Sequence, residues 1–464
     1  MGLKMMGCQV ALAQLVDVLK AVPLNLPEMA RSPMAVGITT DSRRLQAGEV
    51  FVALRGEQFD GHDFVAQAVA QGAIAAVVDR AYPPGDLPVL QVEDTLAAYQ
   101  AIAHWWRNQF TIPVIAVTGS VGKTTTKELI AAVLGMLTTG QATDPTILKS
   151  QANYNNEIGV PKTLLELDAS HHLAIVEMGM RGPGEIALLS QIARPDIAVI
   201  TNVGTAHIGR LGSEAAIAQA KCELLAAMPA SSVAVLNHDN PLLLQTAPQV
   251  WQGSTYTFGL TGGTVRGQLL DPETLLVDGL QLPLPLPGRH NALNYLAALT
   301  VAKILNLDWH PLTAGLQVEL PSGRAKRIEL PQDVVLLDET YNAGLESMQA
   351  ALQLLAQTPG QRHLAVLGTM KELGARSPEF HQAVGQTVQQ LQLDHVLIVA
   401  EEPEASALRS GAGTVPAEVF TTQTAVVQRL LELVQPGDRV LFKASRAVGL
   451  DQVVTQFCQT YASH

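Results

Sequence analysis

Between residues 113 and 236 short apolar runs alternate with stretches of helical period: 113–117 before 127–137, 173–178 before 184–193, 196–203 before 214–228, and then 232–236. Apolar runs this short, with helices between them, predict a mostly parallel sheet covered on both faces. The pattern restarts after Pro321-Ser322-Gly323, where runs at 334–337, 363–367, 395–399 and 439–442 predict strands of a further α/β unit. Ahead of Pro113 the runs at 50–54 and 73–78 lie between Gly- and Asp-rich turns, with helices expected at 10–19 and 97–110. Residues 251–288 read as less regular and end in alternating Leu and Pro over 282–288, a pattern that suits an extended edge segment and no central strand. A helix over 290–304 follows. The breaks divide the chain into three α/β domains: a smaller N-terminal one over 1–111, a central one over 112–320 and a C-terminal one over 321–464.

Composition narrows the partners more than the fold. A chain of 464 residues with 47% hydrophobic and 16% charged content has the makeup of a globular multidomain enzyme. Its formal net charge of −12 argues against a broad nucleic-acid surface, so an acidic ligand has to meet local cations. Cys8, Cys222 and Cys458 have no paired spacing, which points to a reducing compartment and hence the cytoplasm. Asp17 and Lys20 interrupt the apolar stretch near the start, no small-residue cleavage site follows it, and no run approaches membrane-spanning length.

The richest local chemistry lies at Val117-Thr118-Gly119-Ser120-Val121-Gly122-Lys123-Thr124-Thr125, between an expected strand and an expected helix from Lys127. Glycines at 119 and 122 let backbone N–H groups approach phosphate oxygens. Lys123 can reach the outer phosphates, Thr124 can ligate Mg²⁺, and the helix that follows offers its positive end. Val117 stands where the general motif has its first glycine, so strand and helix context carries the reading. ATP-driven chemistry is the expectation.

Other candidates follow strand tips, where open α/β sheets place ligands. Glu177 is a candidate metal ligand within reach of Thr124, or else a solvated loop glutamate. His207 follows the run at 196–203 and is a metal or site histidine, or a packing one. Lys221 lies in an alanine-rich helical stretch and reads from its surroundings as a solvated lysine. Asp338, ahead of Glu339-Thr340-Tyr341-Asn342, can accept from ribose hydroxyls or serve as a turn aspartate. Lys443, Ser445 and Arg446 gather two cations and a hydroxyl for a carboxylate or phosphate. Asp41-Ser42-Arg43-Arg44 and Asp60-Gly61-His62 are weaker anion-binding candidates or plain surface turns.

Taken in order, Asp41-Ser42-Arg43, Thr118 to Thr124, Asn155-Asn156-Glu157-Ile158-Gly159, Glu177-Met178-Gly179, Asn202 to His207, Ala220-Lys221, Gly288-Arg289-His290-Asn291, Gly323-Arg324 and Asp338 to Asn342 resemble the Mur ligases nearly end to end. Within that family Phe51-Val52-Ala53-Leu54, Asp60-Gly61-His62, Met370-Lys371-Glu372-Leu373-Gly374 and Lys443-Ala444-Ser445-Arg446 resemble the branch that joins D-Ala-D-Ala to UDP-N-acetylmuramoyl-tripeptide. The resemblance implies a UDP-sugar-peptide domain, a central P-loop ATPase domain and a dinucleotide-binding-like ligase domain. It also implies ATP and Mg²⁺ as cofactors, an acyl-phosphate intermediate, a monomer, and a place in cytoplasmic peptidoglycan precursor synthesis.

By position, the resemblance implies ATP contacts from residues 119–125 and from Asn291, Asn294, Arg324, Asp338 and Asn342. Substrate contacts fall to Ser42, Arg43, Asn155, Asn156, Lys443, Ser445 and Arg446. Lys123, Glu177, His207 and Lys221 would be catalytic, with Thr124, Glu177, His207 and a carbamylated Lys221 serving the metal. The short P-loop is normal for this family. Gly344-Leu345 replaces the Asn-Pro that the resemblance leads one to expect, so a looser turn after Asn342 is anticipated. The alternatives are a sister Mur or folylpolyglutamate-type ligase, or a P-loop protein that hydrolyses ATP only to change shape.

Overall fold

The computed structural model describes residues 7–26, 33–138 and 146–461. Among them the strands form sheets of nine, six, five and two members. In the nine-stranded sheet Val114–Thr118 is flanked by His171–Glu177 and Ile197–Ile200 in parallel, with Thr146–Lys149 at the edge beyond His171–Glu177. Val233–Asn237, Thr255–Gly259 and Val265–Asp271 extend it in the same direction, and Thr274–Val277 and Leu280–Pro283 close it antiparallel. Four of these strands lie within 251–288, the stretch the sequence marks as irregular. Their alternation is masked by Gly and by ladder positions open to solvent, although the proline-bearing Leu280–Pro283 does sit at the sheet edge.

The six-stranded sheet, built from Val334–Glu339, Arg439–Lys443, His363–Gly368, His395–Val399 and Ala417–Phe420, is parallel apart from its edge strand Lys326–Leu330. The five-stranded sheet uses Ile38–Thr39, Val50–Val52, Ala75–Asp79 and Val89–Val92 in parallel, with Val22–Leu24 antiparallel. The architecture is therefore α/β with mostly parallel large sheets. Central strands such as Val114–Thr118 are buried at every position, which explains continuous apolar runs in place of alternation.

One apolar cluster runs from Leu12 and Tyr99 through Val114, Ile200 and Ile208 to Met348, Met370, Leu373 and Leu441, so side chains of all three large sheets share packing. Each fully buried side chain of this kind contributes roughly 1.5–3 kcal/mol. The helix expected from Lys127 starts at Lys123 instead, since three successive threonines of modest propensity conceal its first turn. That early start places Lys123 and Thr124 at the helix's positive end. Among the described residues no helix is long and apolar enough to cross a membrane.

Candidate active site

The loop after Val114–Thr118 is held by backbone geometry that only glycine adopts without strain. Gly119 has φ +151°, and a Cβ there would collide with Thr201 Oγ1; Gly122 has φ +83°, and a Cβ would stand 2.6 Å from Asn294 Oδ1. The neighbouring strand tip clamps the loop from below: Val121 N–H donates to Asn202 Oδ1 at 3.0 Å, while Asn202 Nδ2 and Thr201 Oγ1 both donate to Val121 C=O, at 3.0 and 2.6 Å. Ser120 Oγ accepts from Gly204 N–H at 2.9 Å. Lys123 folds back so that Nζ donates to Gly119 C=O at 2.8 Å, and its burial lowers the ammonium pKa from the usual lysine range.

Glu177, the last residue of its strand, is buried. Thr124 Oγ1 donates to its Oε2 at 2.9 Å and Asn155 Nδ2 to its Oε1 at 2.8 Å. A threonine hydroxyl and a carboxylate beside a phosphate-binding loop are hard oxygen donors of the kind Mg²⁺ takes, the remaining positions falling to phosphate and water. The residues fit that ion. Asn155, expected at the substrate, thus also orients the carboxylate. Asn156 Oδ1 accepts from Gly159 N–H, at the start of the helix Gly159–Leu165, at 2.9 Å.

His207 is a non-glycine residue at φ +67°, and its Nδ1 lies against Glu372 Oε2 of the C-terminal part. Burial lowers its pKa, opposed by Glu372 and reinforced by Lys123 and Lys221. Lys221 is only 1% exposed, contrary to the solvated reading, because the helix Glu214–Ala227 turns that face into the core. Among the described residues no carboxylate lies within ion-pair distance of it. Burial, with the Lys123 charge nearby, holds its pKa well below the usual lysine range.

Opposite the loop stands a wall from the C-terminal sheet. The Arg324 guanidinium lies 3.9 Å over the Tyr341 ring, and its buried Nε has no hydrogen-bond partner. Such a donor awaits an acceptor from outside the chain. Lys443 Nζ donates to Asn342 C=O at 3.0 Å and is 3.6 Å from Glu339 Oε2. Ser445 Oγ accepts from Lys371 N–H at 3.0 Å, and Arg446 is exposed beside Asp451. Between the walls is a cavity of about 690 Å³.

Three family models match in turn: "Mur ligase family, catalytic domain" over residues 35–105, "Mur ligase middle domain" over 117–302 and "Mur ligase, glutamate ligase domain" over 323–446. The UDP-N-acetylmuramoyl-tripeptide–D-alanyl-D-alanine ligase of Synechocystis sp. is 56% identical over 97% of this chain and 98% of its own length. The chain belongs to the Mur ligase family. The enzyme of the same name from Escherichia coli is 38% identical over 96% of this chain and 97% of its own. Among solved structures, a MurF from Acinetobacter baumannii superposes with a TM-score of 0.88 at 32% identity, covering 98% and 99% of the two chains. The Thermotoga maritima MurF in complex with ADP gives 0.82 at 31% identity, covering 92% and 98%.

In this Mur ligase the cavity gathers Ser120 to Thr125, Asn155, Asn156, Glu177, His207, Asn291, Asn294, Arg324, Asn342, Lys443, Ser445 and Arg446. It does not gather every expected residue. Gly119, Lys221 and Asp338 are not among the lining residues; Asp338 Oδ1 accepts from Thr340 N–H at 3.1 Å and Oγ1 at 2.6 Å, and its neighbour Glu339 lines the cavity. Ser42 and Arg43 lie in the N-terminal part, where exposed Arg43 pairs with Asp41 at 2.8 Å. Asp60 and His62 are structural: His62 is buried, its Nδ1 is 2.6 Å from Asp60 Oδ1, and its Nε2 accepts from Asp79 N–H.

The turn after Asn342 is pinned rather than loose. Asn342 Oδ1 accepts from Ala343 N–H at 2.9 Å, and Ser347 Oγ accepts from Gly344 N–H at 3.1 Å, so Gly344 serves as a helix N-cap. Sequence reasoning missed the Asn202 clamp, whose position after a strand tip was visible, and the two acids Glu346 and Glu372, whose partners lie far away in the chain.

Proposed function

We propose that this chain is the ATP-dependent ligase that joins D-Ala-D-Ala to the terminal carboxylate of UDP-N-acetylmuramoyl-tripeptide, in peptidoglycan precursor synthesis. The observation that carries the reading is one cavity with a polyphosphate loop on one wall and the unpartnered Arg324 donor on the other, in a chain 56% identical to a relative of that name. A carboxylate is a poor electrophile, so amide formation in water needs activation. The substrate carboxylate attacks the γ-phosphate to give an acyl phosphate and ADP. The D-Ala-D-Ala amine then attacks the acyl carbon, loses a proton, and phosphate leaves from the tetrahedral intermediate.

The chain's part is positioning and charge. The backbone N–H groups of 119–125 and the Lys123 ammonium hold the phosphates while negative charge moves onto the leaving ADP. Asn291 and Asn294 flank the loop, and Arg324 and Asn342 meet the nucleotide from the far wall. Thr124 and Glu177 would hold Mg²⁺, with His207 near; bound there, the ion neutralises phosphate charge. Ser42 and Arg43 contact the uridine nucleotide from the N-terminal domain, and Asn155, Asn156, Lys443, Ser445 and Arg446 place the acceptor ends. Lys221 carries a carbamate: its neutral amine nitrogen adds to CO₂ and releases a proton, giving an anion in place of a buried amine. Supporting this are its burial and its depressed pKa, which favour the neutral amine that reacts. The domains divide at 1–111, 112–320 and 321–464, and the enzyme works as a cytoplasmic monomer.

Product mass spectrometry tests the reading. With ATP and the UDP-tripeptide, D-Ala-D-Ala should give a single amide product with stoichiometric ADP. Ligation of a single amino acid instead would make the chain a sister ligase. ATP hydrolysis indifferent to the UDP-tripeptide would favour a nucleotide-driven conformational switch.

A further inference from the structure

Glu346 lies in the first turn of the helix Leu345–Gln357, on the C-terminal side of the cavity, yet its partner Thr205 belongs to the loop after the central-sheet strand Ile197–Ile200. Its Oε1 accepts from Thr205 N–H at 2.7 Å and its Oε2 from Thr205 Oγ1 at 3.2 Å. Gly204 is the residue that lets the carboxylate in, since a Cβ there would stand 2.6 Å from Oε1. The same Gly204 bonds the phosphate loop on its other side, where Ser120 Oγ accepts from its N–H and donates to its C=O at 3.3 Å. Among the described residues no cation pairs with Glu346. Its charge is met by Thr205 and by the positive end of its own 13-residue helix, capped through Gly344 and Ser347.

We propose that Glu346 is a positioning residue which couples the seating of the C-terminal domain to the shape of the phosphate loop, through Thr205, Gly204 and Ser120. The contact joins the C-terminal domain to Thr205, the residue next to the Gly204 that bonds the loop's serine through both its N–H and its C=O. A second contact supports the same seam: Gly209 N–H donates to Glu372 C=O at 3.1 Å, and a Cβ on Gly209 would meet Gly374 N at 2.5 Å. Glu346 bonds Thr205 and not the phosphate-loop residues 119–125, so its loss should slow turnover without weakening the nucleotide's hold. The proposal rests on the ligase reading above.

The test compares Glu346→Ala, Glu346→Gln and Thr205→Val in the full chain, measuring kcat, KM for ATP and melting temperature. Charged hydrogen bonds of this kind predict that Glu346→Ala lowers kcat by about tenfold or more, with KM for ATP within about threefold and the melting temperature within about 2 °C. Glu346→Gln keeps an acceptor for Thr205 N–H, and should restore at least about half of the lost rate. Adding Thr205→Val to Glu346→Ala should cause less than its own separate loss, as coupled partners do. Wild-type kcat in Glu346→Ala, additive losses, or a fall in melting temperature that tracks activity and is not repaired by Gln would each overturn it. Failure of the ligase reading shows differently, as no product from the unaltered chain.

Discussion

Replacing Gly119 by Ala tests the geometry on which every later step depends. At φ +151° a side-chain-bearing residue is strained by roughly 1–3 kcal/mol. The added Cβ also runs into Thr201 Oγ1 and comes within 3.1 Å of Thr201 Cβ, so it can stay only if the threonine swings off Val121 C=O, losing a hydrogen bond of about 1 kcal/mol. The unliganded loop can relax away from this conformation, but it has to return to bind phosphate. The combined cost of about 2–4 kcal/mol therefore falls on affinity, a weakening on the order of thirty- to several-hundred-fold. Calorimetric titration with ADP and Mg²⁺ reads it directly, with circular dichroism to show that the chain is folded. Gly119→Ala combined with Thr201→Ala should recover part of the loss: the colliding oxygen is gone, and Asn202 Nδ2 still donates to Val121 C=O at 3.0 Å. A folded Gly119→Ala chain with wild-type ADP affinity would refute the reasoning.

Two further perturbations address the buried charges. Glu177→Gln keeps the shape but removes the anion that Thr124 and Asn155 orient, and should raise the Mg²⁺ concentration for half-maximal activity by about tenfold or more; an unchanged Mg²⁺ requirement would take Glu177 out of the metal site. Lys221→Met should abolish most activity while stabilising the bicarbonate-free protein. The folded-state pKa of Lys221 lies below its ordinary 10.5, so the folded chain binds fewer protons than the unfolded one; the stability cost is absent above that pH and grows as pH falls towards the depressed value. The gap in urea midpoint between the Met variant and the unaltered chain should widen from pH 10.5 towards neutrality, and a gap that does not change with pH would mean that burial does not lower the pKa of Lys221.

What was legible in the sequence follows from the range of the interactions involved. Strands such as Val114–Thr118 and His395–Val399 declare themselves because a parallel strand covered on both faces is apolar at nearly every position. The phosphate loop is legible because it needs glycines at fixed spacing between a strand and a helix. The four strands of 255–283 were hidden because a partly solvated ladder has no continuous run, and the first turn of Lys123–Thr138 because its threonines say little about helix. Lys221 shows the limit most plainly: an alanine-rich helix with a lysine reads as a solvated face until the packing of its neighbours is known, and then the same lysine is among the most deeply buried charges in the chain.

The residues that were least legible are those that span domains. Glu346 meets Thr205 across 141 positions of sequence, and Glu372 reaches His207 and Arg210 from a different sheet. No periodicity or spacing encodes such a pair, since each partner is locally an ordinary polar residue at a loop or helix end. Both acids nevertheless face the one loop, 202–207, that also clamps the phosphate-binding turn from beneath through Asn202 and Gly204. A ligase that must activate a carboxylate and shield the acyl phosphate from water gains from such wiring, because docking of the last domain and alignment of the phosphate then become a single event. If so, substitutions at the seam should slow turnover in proportion to how far they release the 202–207 loop, whether or not they touch a group that contacts ATP.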